Sequence, residues 1–195
     1  MDIRATEHLD LLSRAHALAP AIAAGSAEID KRREILPAII AALIDNGFFR
    51  MLQPQFLGGA ELPPVLFAQV TEILAQADAS TAWCVCQNNG CAMSAAYLEP
   101  GVAREIFSPP NGILAWGPPG APFEAKPVAG GYRITGKWRF ASGSHHATWL
   151  GAHMRVAGTN AVRTMLFPKS SVVINDIWHT IGLRGTASDR STVLL

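Results

Sequence analysis

The stretch Ser108-Pro109-Pro110-Asn111-Gly112 divides the 195-residue chain into two unlike halves. Its two prolines lack backbone donors and hold φ fixed, and Asn-Gly favours a turn, so no helix or strand is expected to run through it. Beyond it the hydrophobic period changes. Between Gly131 and Phe140, Tyr132, Ile134, Trp138 and Phe140 share one parity, while Arg133, Thr135, Lys137 and Arg139 share the other. That two-residue period predicts a strand with one wet face. Gly130-Gly131 predicts a hairpin turn before it, and Gly158-Thr159-Asn160 a second. Further strands are expected over 148–156, 161–167, 172–174 and 191–195. The second half, 111–195, therefore reads as an antiparallel β domain, a small barrel or sandwich.

The first half, 1–110, reads as helices, which makes the fold class α+β: a helical N-terminal domain followed by a β domain. Leu9, Leu12, Ala15 and Ala19 form one apolar stripe, and Pro20 is expected to interrupt or kink that helix. Pro37 opens a second helix and Asn46-Gly47 closes it. Pro63-Pro64 precede a third through Asp78, a fourth covers Ser80 to Leu98, and Pro100 starts a short fifth, Val102 to Phe107.

Hydrophobic residues make up 49% and charged residues 16%, against roughly 25% charged in an average soluble domain, so a buried core is expected and disorder is not. A net charge of +1 offers no electrostatic footprint for nucleic acid or an anionic membrane. The uncharged run from Ala79 to Leu98 contains Ser80, Thr81, Gln87, Asn88, Asn89 and Ser94, and fits a buried helix better than a span. Cys84, Cys86 and Cys91 are an odd, clustered set unsuited to a disulfide framework, and the start Met1-Asp2-Ile3-Arg4 lacks a secretory signal. A cytoplasmic protein is expected. Only eight charges fall in the eighty residues 51–130, a density that calls for cover from the rest of the chain, a cofactor or other subunits and predicts an oligomer or a missing domain. The final Thr192-Val193-Leu194-Leu195 is an apolar strand without a polar tail, read as a buried end or as part of something longer.

Neither a G-x-S-x-G elbow nor a Walker loop, G-x-G-x-x-G or H-E-x-x-H string occurs, which removes the usual hydrolase, P-loop, Rossmann and zinc-protease readings. Adjacent His145 and His146 would point to opposite faces of a strand, leaving His153 and His179 to join either one, so no metal site is expected. The cysteines read as inert buried thiols.

Three stretches carry a stronger signal. Met51-Leu52-Gln53-Pro54-Gln55-Phe56-Leu57-Gly58-Gly59-Ala60-Glu61 follows a helix with a P-x-x-x-G-G turn. Gly131-Tyr132-Arg133-Ile134-Thr135-Gly136-Lys137-Trp138-Arg139-Phe140-Ala141-Ser142-Gly143 is a strand ending in small residues, and Gly182-Leu183-Arg184-Gly185-Thr186-Ala187-Ser188 follows near the end. In this order, after about a hundred helical residues, they resemble the acyl-CoA dehydrogenase superfamily of flavoproteins. Within it, Phe140-Ala141-Ser142-Gly143 and Trp116-Gly117-Pro118-Pro119 look closer to the two-component flavin-dependent monooxygenases than to the true dehydrogenases.

The resemblance implies a flavin, FAD or FMN, held on this side by Leu114, Trp116, Gly117, Phe140, Ala141 and Ser142. A flat ring with apolar faces and a polar edge needs aromatic walls and a few donors. Ser142, the one residue read as catalytic, would donate at the flavin edge; alone, Ser-Gly is also simply at home in a turn. The helix bearing Trp83 and Asn88 is placed beside the substrate, although buried amides such as Asn88 and Asn89 commonly bridge helices instead. Trp138 and Trp178 read as core or interface aromatics, and Arg184 as facing solvent or another subunit. Family members continue into a C-terminal four-helix bundle that completes the flavin site, builds a tetramer and supplies the catalytic base, so the resemblance implies a truncated chain.

Three functions follow. The first is the oxygenase component of a two-component flavin monooxygenase, served by a flavin reductase and acting on a hydrophobic or aromatic substrate. The second is an acyl-CoA dehydrogenase. The third is an inactive fragment that acts as a binding or assembly module, which leaves open whether this chain is itself an enzyme.

Overall fold

The protein is described by a computed structural model over residues 3–118 and 123–194. Met1, Asp2, Pro119 and Leu195, used in the sequence reading, lie outside these residues, as does the side chain of Leu9.

Helix α1, Ile3–Arg32, runs through Pro20 without interruption. Pro20 deprives one carbonyl of its donor a turn earlier, at His16, but both positions face solvent, where water replaces the lost bond. The helix packs on α3, Pro64–Ala77, and buries Leu11, Ala15, Ile22 and Ile29, the last beside Gly185. Helix α2, Pro37–Asp45, opens on its proline as expected and closes at Asn46-Gly47, where Gly47 takes a φ of 77°. Asp78 then ends α3 and starts α4, Ala79–Ala92. Its Oδ1 accepts from Thr81 N at 2.7 Å, and its Oδ2 accepts from Ser26 Oγ of α1 at 2.9 Å, so one carboxylate caps α4 and docks it. The expected helix to Leu98 instead tightens into a 3-10 turn, Met93–Tyr97, before α5, Pro100–Phe107.

Chain 51–62 folds back on itself: Leu62 N donates to Met51 O and Ala60 N to Arg50 O. Gln53, wholly buried, donates from Nε2 to the carbonyls of Leu57 and Phe107 and fastens this loop to α5.

Among the described residues eight strands follow. They are β1 (Leu114–Trp116), β2 (Glu124–Val128), β3 (Gly131–Arg133), β4 (Thr135–Trp138), β5 (Trp149–Val156), β6 (Val162–Pro168), β7 (Val172–Asn175) and β8 (Arg190–Leu194). In the larger sheet β5 pairs antiparallel with β6 along one edge and parallel with β1 and β2 on the other. The smaller sheet, β4-β8-β7, is antiparallel throughout. The fold is α+β as expected, but the larger sheet is mixed and no barrel closes among the described residues.

The long strand expected from Gly131 to Phe140 is two strands. β3 pairs with β2 through the Ala129-Gly130 turn, and β4 pairs with β8 in the other sheet, the chain crossing at Ile134. Parity holds where the strand packs, since Ile134 and Trp138 are buried, and fails at its ends, where Tyr132 and Phe140 are exposed. Tyr132 lies on a hairpin with open faces, and Phe140 has left the strand at φ 64°. One hydrophobic cluster joins Phe48 and Leu74 of the helical half to Trp138, Met154 and Val193 of the sheets.

Candidate functional site

Four segments converge where the helices meet the sheets: the end of β1, the turn after β4, the loop 183–188 and one face of α4. Closeness of backbone sets the first junction. A Cβ on Gly117 would stand 2.0 Å from the carbonyl oxygen of Arg139, so only glycine lets β1 approach the turn. The turn is locked by Ser142 N donating to Phe140 O and Gly143 N donating to Thr186 O, both at 3.0 Å. Gly143, at φ 79°, sits where a Cβ would strike Asn88 Oδ1 at 2.5 Å.

Non-glycine residues with positive φ gather here: Phe140 at 64°, Leu183 at 51° and Ala187 at 44°. Such conformations are held by their surroundings at some energetic cost and cluster at functional sites.

Between the segments lies a hollow of about 490 Å³, within the range of small-molecule sites. Its walls are aromatic. Phe140 meets Trp178 edge to face at 5.8 Å between centroids, and Trp116 meets His153 in the same manner at 5.7 Å. One side carries hydroxyls. Trp83 Nε1 donates to Ser142 Oγ at 3.0 Å, Ser142 Oγ and Ser188 Oγ lie 2.7 Å apart, and Ser188 Oγ and Thr186 Oγ1 are also 2.7 Å apart.

Of the residues singled out from sequence, Trp83, Trp116, Gly117, Phe140 and Ser142 all line this hollow. Ser142 does not spend its hydroxyl on its own turn; its Oγ contacts Trp83 and Ser188. Leu114 and Ala141 are buried behind the lining, Leu114 among Ile106 and Phe107. Asn88 is also one layer back: its Nδ2 donates to Leu114 O at 3.1 Å and Ser142 O at 3.5 Å, and its Oδ1 accepts from His146 Nε2 at 3.0 Å. It fixes the wall from behind rather than facing the hollow.

One reading is corrected: Trp178 is a wall of the hollow and not only a packing aromatic. Arg184 keeps a solvent-facing side chain, about 34% exposed, and donates from Nε to Asp30 O of its own chain at 3.0 Å. Sequence reasoning missed His153, Leu183, Thr186 and Ser188 as lining residues. The small hydroxyl string Thr186-Ala187-Ser188 was the available signal for two of them.

His145 and His146 lie in a turn, not a strand, and diverge: His145 sits between Glu34 and Asp189, while His146 faces Asn88 and the Phe49 ring. Protein crowds the His146 ring although part of it reaches solvent, and this desolvation, with repulsion from Lys169 and His145, pushes its pKa down to about 3. The ring is therefore neutral and donates through Nε2. An unfolded chain takes up this proton near pH 6.5, the folded chain only near 3. The stabilisation is thus complete above pH 6.5 and is lost as pH falls towards 3, by up to about 1.4 kcal/mol per pH unit. Urea unfolding at pH 7 and pH 4.5 should show this loss in the wild type and a shallower one in His146→Gln. Equal slopes would remove His146 from the acid response.

Burial raises the Cys91 thiol to about 12 and the Cys84 thiol well above its ordinary value, and all three cysteines are free. No helix among the described residues is long and apolar enough to cross a membrane.

The helical layer, the mixed sheet and an aromatic hollow between them define an acyl-CoA dehydrogenase-like protein, and residues 6–101 match the family model "Acyl-CoA dehydrogenase, N-terminal domain". The chain belongs to this superfamily, on the side of its flavin-dependent monooxygenases. It is 32% identical to the "Pigment production hydroxylase" of Rhodococcus sp. (strain ATCC 21145), over 99% of this chain and 50% of that protein. It is 30% identical to "Flavin-dependent monooxygenase, oxygenase subunit HsaA" of Rhodococcus jostii (strain RHA1), over 93% of this chain and 48% of that one. The solved structure of XiaF from Streptomyces sp., in complex with FADH2 and glycerol, superposes with a TM-score of 0.89 at 27% identity, over all of this chain and 51% of that one. The chain spans about half the length of these relatives.

Proposed function

We propose that this chain is part of the oxygenase component of a two-component flavin-dependent monooxygenase, which takes reduced flavin from a separate reductase and oxygenates a hydrophobic or aromatic substrate. The observation that carries this is the aromatic-walled hollow with a hydroxyl edge, in a chain related to flavin-dependent oxygenase subunits. A flavin ring suits it: Trp116, Phe140 and Trp178 offer apolar faces, Ser142 offers a polar edge, and Gly117 keeps the backbone close where a side chain would intrude. Bound reduced flavin supplies two electrons and activates oxygen for insertion of one atom into the substrate.

The chain's own residues bind, orient and dry that site. Trp116, Gly117, Phe140 and Trp178 would hold the ring, and Ser142 would address its polar edge. Leu114, Ala141 and Asn88 support these from behind, and Trp83 presents its ring towards the substrate side. Residues 1–110 and 111–195 act as two domains that meet at this hollow. We further infer a cytoplasmic homo-oligomer, because the thiols are free and Phe56, Tyr97 and Val102 of the charge-poor stretch are exposed.

The complete oxygenase component of which this chain is part, mixed with reduced FAD or FMN, oxygen, a flavin reductase and phenolic or indolic substrates, is expected to give hydroxylated product. Trp116→Ala should weaken flavin binding by roughly tenfold, read by flavin fluorescence, since a buried aromatic contact is lost. Anaerobic bleaching of bound flavin by an acyl-CoA, without oxygenation of any aromatic, would favour desaturation instead.

A further inference from the structure

Ser142, Ser188 and Thr186 form an unbranched chain of hydroxyls, each with a single proton to give. Trp83 Nε1 can only donate, so at one end Ser142 accepts, at 3.0 Å. At the other end Thr186 Oγ1 donates to Leu183 O at 2.9 Å. With both ends set, the protons between run one way: Ser142 donates to Ser188, and Ser188 to Thr186. In that state Ser142 offers the hollow only a lone pair.

The far end is oversupplied. Leu183 O also accepts from Trp178 Nε1 at 2.9 Å and from Thr186 N at 3.2 Å, three donors for two lone pairs. Withdrawing the Thr186 hydroxyl therefore leaves that carbonyl satisfied. All three hydroxyls can then reverse together, Thr186 donating to Ser188 and Ser188 to Ser142, which frees the Ser142 proton for the hollow. With an acceptor there, no proton is orphaned in either state, so neither orientation carries the cost of an unmade buried bond.

We propose that Ser188 and Thr186 are positioning residues that set the polarity of Ser142, letting it accept from an N–H in the hollow in one state and donate to a bare nitrogen in the other. This rests on the flavin reading, and it deepens it. The central ring nitrogen of a flavin is a bare acceptor when oxidised and carries hydrogen when reduced, and an oxygenase component meets both forms. A lone serine among fixed partners would suit one form and oppose the other.

The test separates the two polarities. In Ser188→Ala the Ser142 proton loses its protein acceptor and is free for the hollow. Oxidised flavin then binds as before, whereas accepting from a reduced ring would strand the Ser142 proton. We expect the Kd for reduced FAD or FMN, titrated anaerobically, to rise about tenfold while that for the oxidised form stays within about twofold. Ser188→Thr, which keeps a hydroxyl, should restore reduced-flavin binding and exclude a folding defect. Equal changes in both forms, no change in either, or failure of Ser188→Thr to rescue would overturn the relay. A wild-type oxygenase component carrying this chain that binds neither form overturns the flavin reading itself, and the task assigned to the relay falls with it.

Discussion

Asn89→Ala is expected to lower unfolding stability by about 4 kcal/mol, a large share of the 5–15 kcal/mol typical of a folded protein. Asn89 is wholly buried in α4, where its Nδ2 donates to Phe48 O at 2.7 Å and Val85 O at 2.9 Å, while its Oδ1 accepts from Leu52 N at 3.0 Å. Val85 O keeps its ordinary helical donor when the amide is removed, but Phe48 O and Leu52 N do not. The buried Phe48 carbonyl, just before the 51–62 loop, and the part-buried Leu52 N–H within it then lose these partners, and each costs about 1–3 kcal/mol. Asn89→Asp tests the donor half alone: a carboxylate would still accept from Leu52 N but would face two carbonyls. It should be at least as damaging at neutral pH and partly relieved in acid, where the protonated group donates again. Denaturant curves that place Asn89→Ala within 1 kcal/mol of wild type would show that water takes over the bridge.

Gly117→Ala carries the second large effect, because its new methyl meets backbone and not a movable side chain. The Cβ would lie 2.0 Å from Arg139 O and 3.0 Å from the Phe140 carbonyl carbon, so β1 and the turn must part. Overpacking of this kind costs about 1–3 kcal/mol, and here the strain falls on the turn that aims Phe140 and Ser142. Flavin affinity should drop more than tenfold in titrations that leave the far-ultraviolet spectrum unchanged. Gly90→Ala is the control. Nothing lies within 4 Å of its added Cβ, and it is exposed within α4, so alanine should stabilise by up to about 1 kcal/mol through helix propensity and leave flavin binding alone. If Gly117→Ala binds flavin like wild type, the junction of β1 and the turn does not shape the ligand site.

How far the sequence could be read depended on the range of the physics involved. The bounds of α2, α3 and α5 were legible because each opens on a proline, where the missing N–H would have had no partner within the helix. The hairpin turns were legible because Gly130 and Gly158, at φ 82° and 76°, adopt backbone angles other residues avoid. Pro20 misled for a matching reason: its cost depends on whether the deprived carbonyl is wet, and exposure is a property of the whole fold. Ile134 shows the same limit in a strand. The alternation from Gly131 to Phe140 is continuous, yet the partners on either side of Ile134, β2 and β8, belong to different sheets.

The hollow was half legible. Trp116, Gly117, Phe140 and Ser142 stood out in strings resembling a known family, and these line it. The polarity of Ser142 could not be read, because its hydroxyl is governed by Trp83, Ser188, Thr186 and Leu183, and Trp83 lies 59 residues from it along the chain. The bond from Arg184 to Asp30 could not be read either, its partner being 154 residues away.

Composition, turn chemistry and periodicity by themselves determined a helical half, a β half and the order of nearly every element, since φ limits, missing donors and side-chain spacing act between neighbours. Only the tertiary structure decided which hydroxyls share protons, which aromatic rings face one another across the hollow and which amide holds a loop shut. Hydrogen bonds and packing act over a few ångströms of space, and separation along the chain does not record that distance.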